Sequence, residues 1–238
     1  MKHIHFKTID STHNYLSSHY QEYDQMTLVS TDHQTSGIGR LERIWYGNQD
    51  SIMCSLLLKD HLDDMKISLI PLCAAMSVHK VLSNYHHDIL IKWPNDLWIH
   101  GLKLSGILVK SMIESSKVLS VIVSFGININ QESFPDDIKD IATSLKKETH
   151  ETYDKDTIMR HIISQFLRDL EYLKTNPTYV IDYCNNYAAL TDHVVTFLRD
   201  GTSHQGIVKH INDDGHLVVQ CQKETIILHS GEVVLYQT

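Results

Sequence analysis

The hydrophobic pattern of this chain changes character once, near residue 190, and that change limits the folds open to it. Before it, apolar strand-like runs alternate with segments of helical period. Thr12 to Tyr23 reads as a helix capped by Asp10 or Ser11, and Thr27-Leu28-Val29-Ser30 as a short strand. Ile52 to Leu58 is apolar enough for a buried strand, and Ile70, Ala74, Val78, Val81, Leu82 and Tyr85 then recur at helical spacing. Ile89 to Trp93 reads as a strand, followed by a Pro-Asn-Asp turn and two alternating runs that meet at His100-Gly101 as a hairpin. Val118 to Phe125 is another buried strand. Ile158, Ile162, Ile163, Phe166, Leu167, Leu170 and Leu173 mark an amphipathic helix, and Tyr179 to Tyr187 forms one more. From His193 onward, short alternating strands are separated by Asp200-Gly201, Asp213-Asp214-Gly215 and Ser230-Gly231, the pattern of a small antiparallel sheet or barrel. The expected class is α+β, divided into residues 1–190 and 191–238.

Charge excludes one class of partner. Lys+Arg number 21 against 29 Asp+Glu, a formal charge of −8, which is too acidic for a broad basic surface that would neutralise nucleic-acid phosphates. Cys54, Cys73, Cys184 and Cys221 are far apart and form no CxxC or CxxH pair, so neither zinc nor a disulfide framework is expected, and the cytoplasm is the default compartment. The 17 histidines are scattered without an HExxH or HxH pattern. No stretch resembles a signal peptide or a membrane span.

Three clusters carry chemistry. In Gln34-Thr35-Ser36-Gly37-Ile38-Gly39-Arg40-Leu41-Glu42-Arg43-Ile44-Trp45, two glycines let backbone approach a ligand and two arginines meet negative charge, although GxG loops commonly serve only flexibility. Lys92-Trp93-Pro94-Asn95-Asp96-Leu97 delivers polar groups at a turn, and Lys103-Leu104-Ser105-Gly106 follows on the return strand. A surface hairpin with a solvated lysine accounts for that spacing equally well. Gly126-Ile127-Asn128-Ile129-Asn130 ends a buried strand with an asparagine that reads a ligand or caps the turn.

Taken in order, Lys-Trp-Pro-Asn-Asp-Leu, Lys-Leu-Ser-Gly-Ile-Leu-Val and Gly-Ile-Asn-Ile-Asn resemble the motifs of biotin protein ligases. Ile9-Asp10-Ser11-Thr12 is similar to their biotin-binding segment, and the likeness extends through Ile141-Ala142-Thr143-Ser144-Leu145 to Ser230-Gly231-Glu232-Val233. The KWPND and KLSG pieces separate this family from the related lipoate ligases. The resemblance implies a mixed sheet flanked by helices, related to class II aminoacyl-tRNA synthetases, with a C-terminal SH3-like barrel. It implies joining of biotin to ATP as biotinyl-5′-AMP, then transfer to a lysine of the biotin carboxyl carrier domain of acetyl-CoA or pyruvate carboxylase. Relatives occur as monomers or homodimers.

Residue by residue, the resemblance puts Ser11, Thr12, His13, Gln34, Ile38, Gly39, Arg40 and Lys103 around biotin, and Arg43, Trp45, Lys92, Asn95 and Asn128 around ATP. A carboxylate attacking a polyphosphate requires fixed positive charge. Lys103, Arg40 and Asp96 are the catalytic candidates, Lys103 foremost. Asp96 either holds Mg²⁺ or accepts the proton of the incoming amine.

The chain also departs from the family. Where members carry a loop close to G-R-G-R-x-G-R-x-W, this chain has Ile38 for the first arginine and Glu42 for the third glycine, and His13 stands where Asn is common. The loop is expected to close less well over an adenylate, which leaves a degenerate paralogue with little turnover as the alternative. With the Asp-Ser-Thr segment starting at residue 10, no DNA-binding module is expected.

Overall fold

The computed structural model describes the chain except residues 60, 61, 63, 64, 116, 200, 223, 230–232 and 236–238. Its frame is a seven-stranded mixed sheet. The strands are β1 (Lys2–Phe6), β2 (Thr27–Thr31), β3 (Ser51–Leu58), β4 (Ile89–Lys92), β5 (Asp96–Ile99), β6 (Leu102–Glu114) and β7 (Lys117–Asn128), in the order β1-β2-β3-β7-β6-β5-β4. Only β1 and β2 run parallel, so the sheet is otherwise a set of antiparallel ladders.

Both faces of the central strands are covered, which is why β3 reads as a continuous apolar run. On one face lie α2 (Ile70–Leu82), α4 (Lys155–Thr175) and α5 (Pro177–Asn186), after the short α3 (Leu145–Thr149). Ile52, Cys54, Leu56 and Leu58 of β3 join Val121, Val123 and Phe125 of β7 in that core. The opposite face carries α1 (Thr12–His19) and a smaller core of Leu16, Tyr23, Val29, Leu57 and Ile122. Along β3 and β7 that second face continues past Leu57 and Ile122 to Ser55, Ser124 and Gly126, where packing gives way to a cleft. Ser11 caps α1, its side chain accepting from the Asn14 N–H. The helix ends at His19, short of Tyr23, and a single 3₁₀ turn takes Tyr20–Glu22.

A second, antiparallel sheet of β8 (Val194–Arg199), β9 (Thr202–Ile211), β10 (Leu217–Gln220), β11 (Thr225–Leu228) and β12 (Val233–Leu235) has the order β11-β10-β9-β8-β12. Its inward residues Val195, Phe197, Val208 and Val219 belong to the same hydrophobic cluster as α2 and α4. Two polar anchors tie it down: Trp93 Nε1 donates to the Gly215 carbonyl at 2.8 Å, and the Asn185 amide bonds both backbone groups of Ile211. Of the expected turns, Asp213-Asp214-Gly215 is present, with Gly215 at φ +83°. Asp200 and Ser230-Gly231-Glu232 fall outside the described residues. No described helix is long and apolar enough to cross a membrane.

Candidate active site

The floor of the cleft, about 270 Å³ in volume, is made by β3, β6 and β7, and its walls by the N-terminus of α1, the 37–46 loop and the 138–142 segment. Ser11, Thr12, His13, Gln34, Ile38, Gly39, Arg40, Arg43, Trp45, Lys92, Asn95, Asp96, Lys103 and Asn128 all line it. Residues more than a hundred positions apart thus meet because β3 and β7 pair from Ser51–Asn128 to Leu58–Val121 and α1 packs on both strands.

At one end the groups are hydroxyls and amides. Gln34 is aligned by an isolated parallel bridge to Ile9, and its Oε1 accepts from the Thr12 N–H at 2.9 Å and the Thr12 hydroxyl at 3.2 Å. Thr12 Oγ1 also lies 2.8 Å from Ser55 Oγ, Ser55 donates to Ser124 Oγ at 2.7 Å, and Ser124 Oγ is 2.7 Å from His13 Nδ1. Burial, together with the charge of Lys110, lowers the His13 pKa to about 4, so its imidazole is neutral at pH 7. Ser55 and Ser124 were not singled out in the sequence. The signal for them was a hydroxyl inside each of two apolar strands, which burial tolerates only with a partner.

At the other end the groups are charged. Lys103 Nζ donates to Asp96 Oδ2 at 2.8 Å and lies 5.8 Å from the centre of the Trp45 ring. The backbone of Lys103 is pinned to the Ile141-Ala142-Thr143 segment by bonds to Ile141 O and from Thr143 N. Asp96 Oδ1 is buried and lacks a hydrogen-bond partner among the described residues, so one carboxylate oxygen remains for a cation or a donor. Among the described residues no three His, Cys, Asp or Glu side chains cluster as metal ligands. A magnesium ion commonly needs only one or two carboxylates when substrate phosphates and water complete its shell, and Asp96 fits that minimal role. Arg40 Nη1 donates to Asn95 Oδ1 at 2.9 Å, while Asn95 Nδ2 donates to Ile107 O. Asn95 therefore orients Arg40. Lys92 Nζ sits 4.4 Å over the Trp98 ring. The Asn128 amide donates to Thr143 O and accepts from Gln131 Nε2, so its polar atoms brace the segment behind the cleft.

The 37–45 loop is a folded hairpin. Trp45 N–H donates to Gly37 O, Gly39 N–H to Arg43 O and Arg43 N–H to Arg40 O. At its tip Leu41 and Glu42 take φ +53° and +59°, the left-handed pair of a type I′ turn, where glycine is favoured at the second position. The loop lays the Trp45 ring on the paired Gly106 and Gly126. A Cβ on Gly126 would stand 2.4 Å from Trp45 Cε2, so only glycine admits the ring there. The loop thus orders despite Glu42, at the cost of two non-glycine residues in the left-handed region.

Comparison with known proteins agrees with this geometry. The chain belongs to the biotin/lipoate A/B protein ligase family, whose model matches residues 5–128. It is 34% identical over 217 residues to the bifunctional ligase/repressor BirA of Bacillus spizizenii, covering 88% of this chain but only 66% of that longer protein. It is 26% identical over 222 residues to the biotin--[acetyl-CoA-carboxylase] ligase of Mycobacterium tuberculosis, covering 90% and 80% of the two chains. Its fold resembles the biotin protein ligase of Aquifex aeolicus solved with biotin and ATP, with a TM-score of 0.84 at 25% identity over 100% of this chain and 99% of that one.

Proposed function

We propose that this chain is a biotin protein ligase. It joins biotin to ATP as biotinyl-5′-AMP with release of pyrophosphate, then passes biotin to a lysine of a carboxylase carrier domain. The observation that carries this reading is the polarity of this cleft: hydroxyls and amides on Ser11, Thr12, Gln34 and Ser124 at one end, the Lys103–Asp96 pair and Arg40 at the other. Biotin has a matching polarity, with a ureido head and a carboxylate tail. The head goes to Ser11, Thr12, His13 and Gln34, flanked by Ile38 and Gly39, and the tail reaches Arg40 and Lys103.

In the first step a biotin carboxylate oxygen attacks the α-phosphorus, the bond to pyrophosphate breaks, and Lys103 neutralises charge on both reactants. Arg43 and Lys92 hold the departing phosphates, adenine stacks on the face of Trp45 turned away from the glycines, and Asn128 supports the segment beside it. Asp96, through its unpartnered Oδ1, would hold a magnesium ion arriving with ATP, which would supply positive charge against the repulsion between carboxylate and phosphates. In the second step the neutral amine of the carrier lysine attacks the acyl carbon and AMP leaves. In this reading the carboxylate of Asp96 takes the amine proton.

The test is incubation with biotin, MgATP and a carrier domain, followed by mass spectrometry. A mass shift of the carrier with biotin and none with lipoate is the expected outcome. No shift, with biotin bound tightly by calorimetry, would overturn turnover in favour of a degenerate binding protein.

A further inference from the structure

Two walls of the cleft are joined by a side-chain bond that the proposed chemistry does not use. Tyr46, directly after Trp45, donates its hydroxyl to Asp137 Oδ2 at 2.7 Å across 91 positions of sequence. The carboxylate holds the pKa of that hydroxyl above its ordinary value, so Tyr46 is a protonated donor at pH 7. Each partner stands on a segment that is fixed elsewhere. Tyr46 continues the 37–45 hairpin, whose Trp45 ring rests on Gly106 and Gly126 and whose Arg40 is held by Asn95. Asp137 lies in a tight turn, in which the Ile138 and Lys139 N–H groups donate to Pro135 O and the Ile141 and Ala142 N–H groups to Ile138 O. The end of that turn is strapped to β6, since Lys103 donates its N–H to Ile141 O and its carbonyl accepts from the Thr143 N–H.

Residues 135–143 are therefore a strut between the strand of Lys103 and the loop that carries Trp45, and Ile138, Ile141 and Ala142 of the strut line the cleft. Apolar burial does little to hold the strut and the loop together at this rim, because Ile141 is 61% and Ile44 67% exposed. A hydrogen bond to a carboxylate is stronger than one between neutral groups, and here it joins the two walls directly. We propose that Tyr46 and Asp137 are a pair of positioning residues that latch the 135–143 strut to the 37–46 loop and so retain the acyl adenylate between its formation and its transfer. The inference rests on the biotin reading and deepens it: the latch sets how the intermediate divides between attack by the carrier amine and escape to water. Neither group makes or breaks a bond of the substrate, so its loss falls on retention and spares the chemical step.

Two measurements test this. The first is hydrogen exchange of the protein alone, followed by mass spectrometry. Tyr46→Phe is expected to speed exchange in the peptide covering residues 136–142 about fivefold, although the substitution lies 91 positions from Asp137. Unchanged exchange in that peptide overturns the latch. The second follows the loss of biotinyl-5′-AMP by stopped flow. Tyr46→Phe and Asp137→Ala are each expected to raise the off-rate about fivefold, while kcat for biotin-dependent pyrophosphate exchange changes by less than about twofold. The double variant is expected to match either single one rather than reach their product of about 25-fold, because both substitutions remove the same bond. Asp136→Ala removes a neighbouring carboxylate bonded to Lys139 and is expected to leave the off-rate within about twofold of the parent. A parent-like off-rate in both single variants, multiplied effects in the double variant, or an equal rise in Asp136→Ala overturns the proposal. A parent that forms no adenylate overturns the biotin reading, while hydrogen exchange still decides whether the latch joins the two walls.

Discussion

Replacing Glu42 with glycine should tighten the 37–45 loop. Leu41 and Glu42 both sit at positive φ, at +53° and +59°. A non-glycine residue in the left-handed region costs roughly 1–2 kcal/mol, and part of the gain from glycine is offset because glycine loses more freedom on ordering. A net stabilisation of about 1 kcal/mol remains for the closed loop. If release of an adenylate requires the loop to open, that energy corresponds to a closed-to-open ratio about fivefold higher. The assay is stopped-flow fluorescence of biotinyl-5′-AMP dissociation, in which Glu42→Gly is expected to slow the off-rate about fivefold. Glu42→Ala separates strain from charge. It removes the carboxylate but keeps a Cβ at positive φ, and because an exposed charge contributes under about 1 kcal/mol its off-rate should stay within twofold of the parent. An unchanged off-rate in Glu42→Gly, or an equal gain in Glu42→Ala, would refute the strain argument.

Three further outcomes follow from packing and protonation. Gly126→Ala places a Cβ 2.4 Å from Trp45 Cε2, so the ring must lift, and ATP affinity by calorimetry should weaken about tenfold. His13 ordinarily titrates near 6.5 but is held near 4 in the fold, chiefly by burial. The unfolded chain therefore binds the extra proton as pH falls through this window, and stability is fully present above pH 6.5 and declines toward pH 4. Between pH 6.5 and about pH 4.5, urea titrations should show the parent losing about 2 kcal/mol more than His13→Asn; parallel losses would contradict a buried neutral imidazole. Trp93→Phe deletes the bond to Gly215 O, and a cost of about 1 kcal/mol should lower Tm by about 2–4 °C in a calorimetric scan.

The parts of this fold that were legible in sequence are those with long, uniform patterns. The runs that become β3, β7, α2 and α4 are buried on faces their periodicity announces, and the His100-Gly101 turn carries its own chemistry, with both residues at positive φ. β1 was not legible, because Lys2-His3-Ile4-His5-Phe6 is short, half polar and held by one parallel neighbour at the sheet edge. α3 is a single turn and a half between polar segments, too short for periodicity to register. The grouping of the site residues came from motif resemblance, and the structure brings all of them to one cleft. What motifs could not convey is how their polar atoms are used. Asn95 and Asn128 spend their amides on Arg40 and on the backbone behind the cleft, and Trp93 anchors the second sheet. The hydrogen bond from Ser55 to Ser124 depends on a register that sets the two residues opposite each other, a fact that exists only once β3 and β7 pair.

The central claim is that this cleft activates biotin through Lys103. Exchange of labelled pyrophosphate into ATP measures that step without a carrier protein. The account predicts exchange that requires biotin in the parent and falls roughly 100-fold or more in Lys103→Gln, with the fold retained by circular dichroism. Exchange independent of biotin, or unaffected by loss of the Lys103 ammonium, would contradict it.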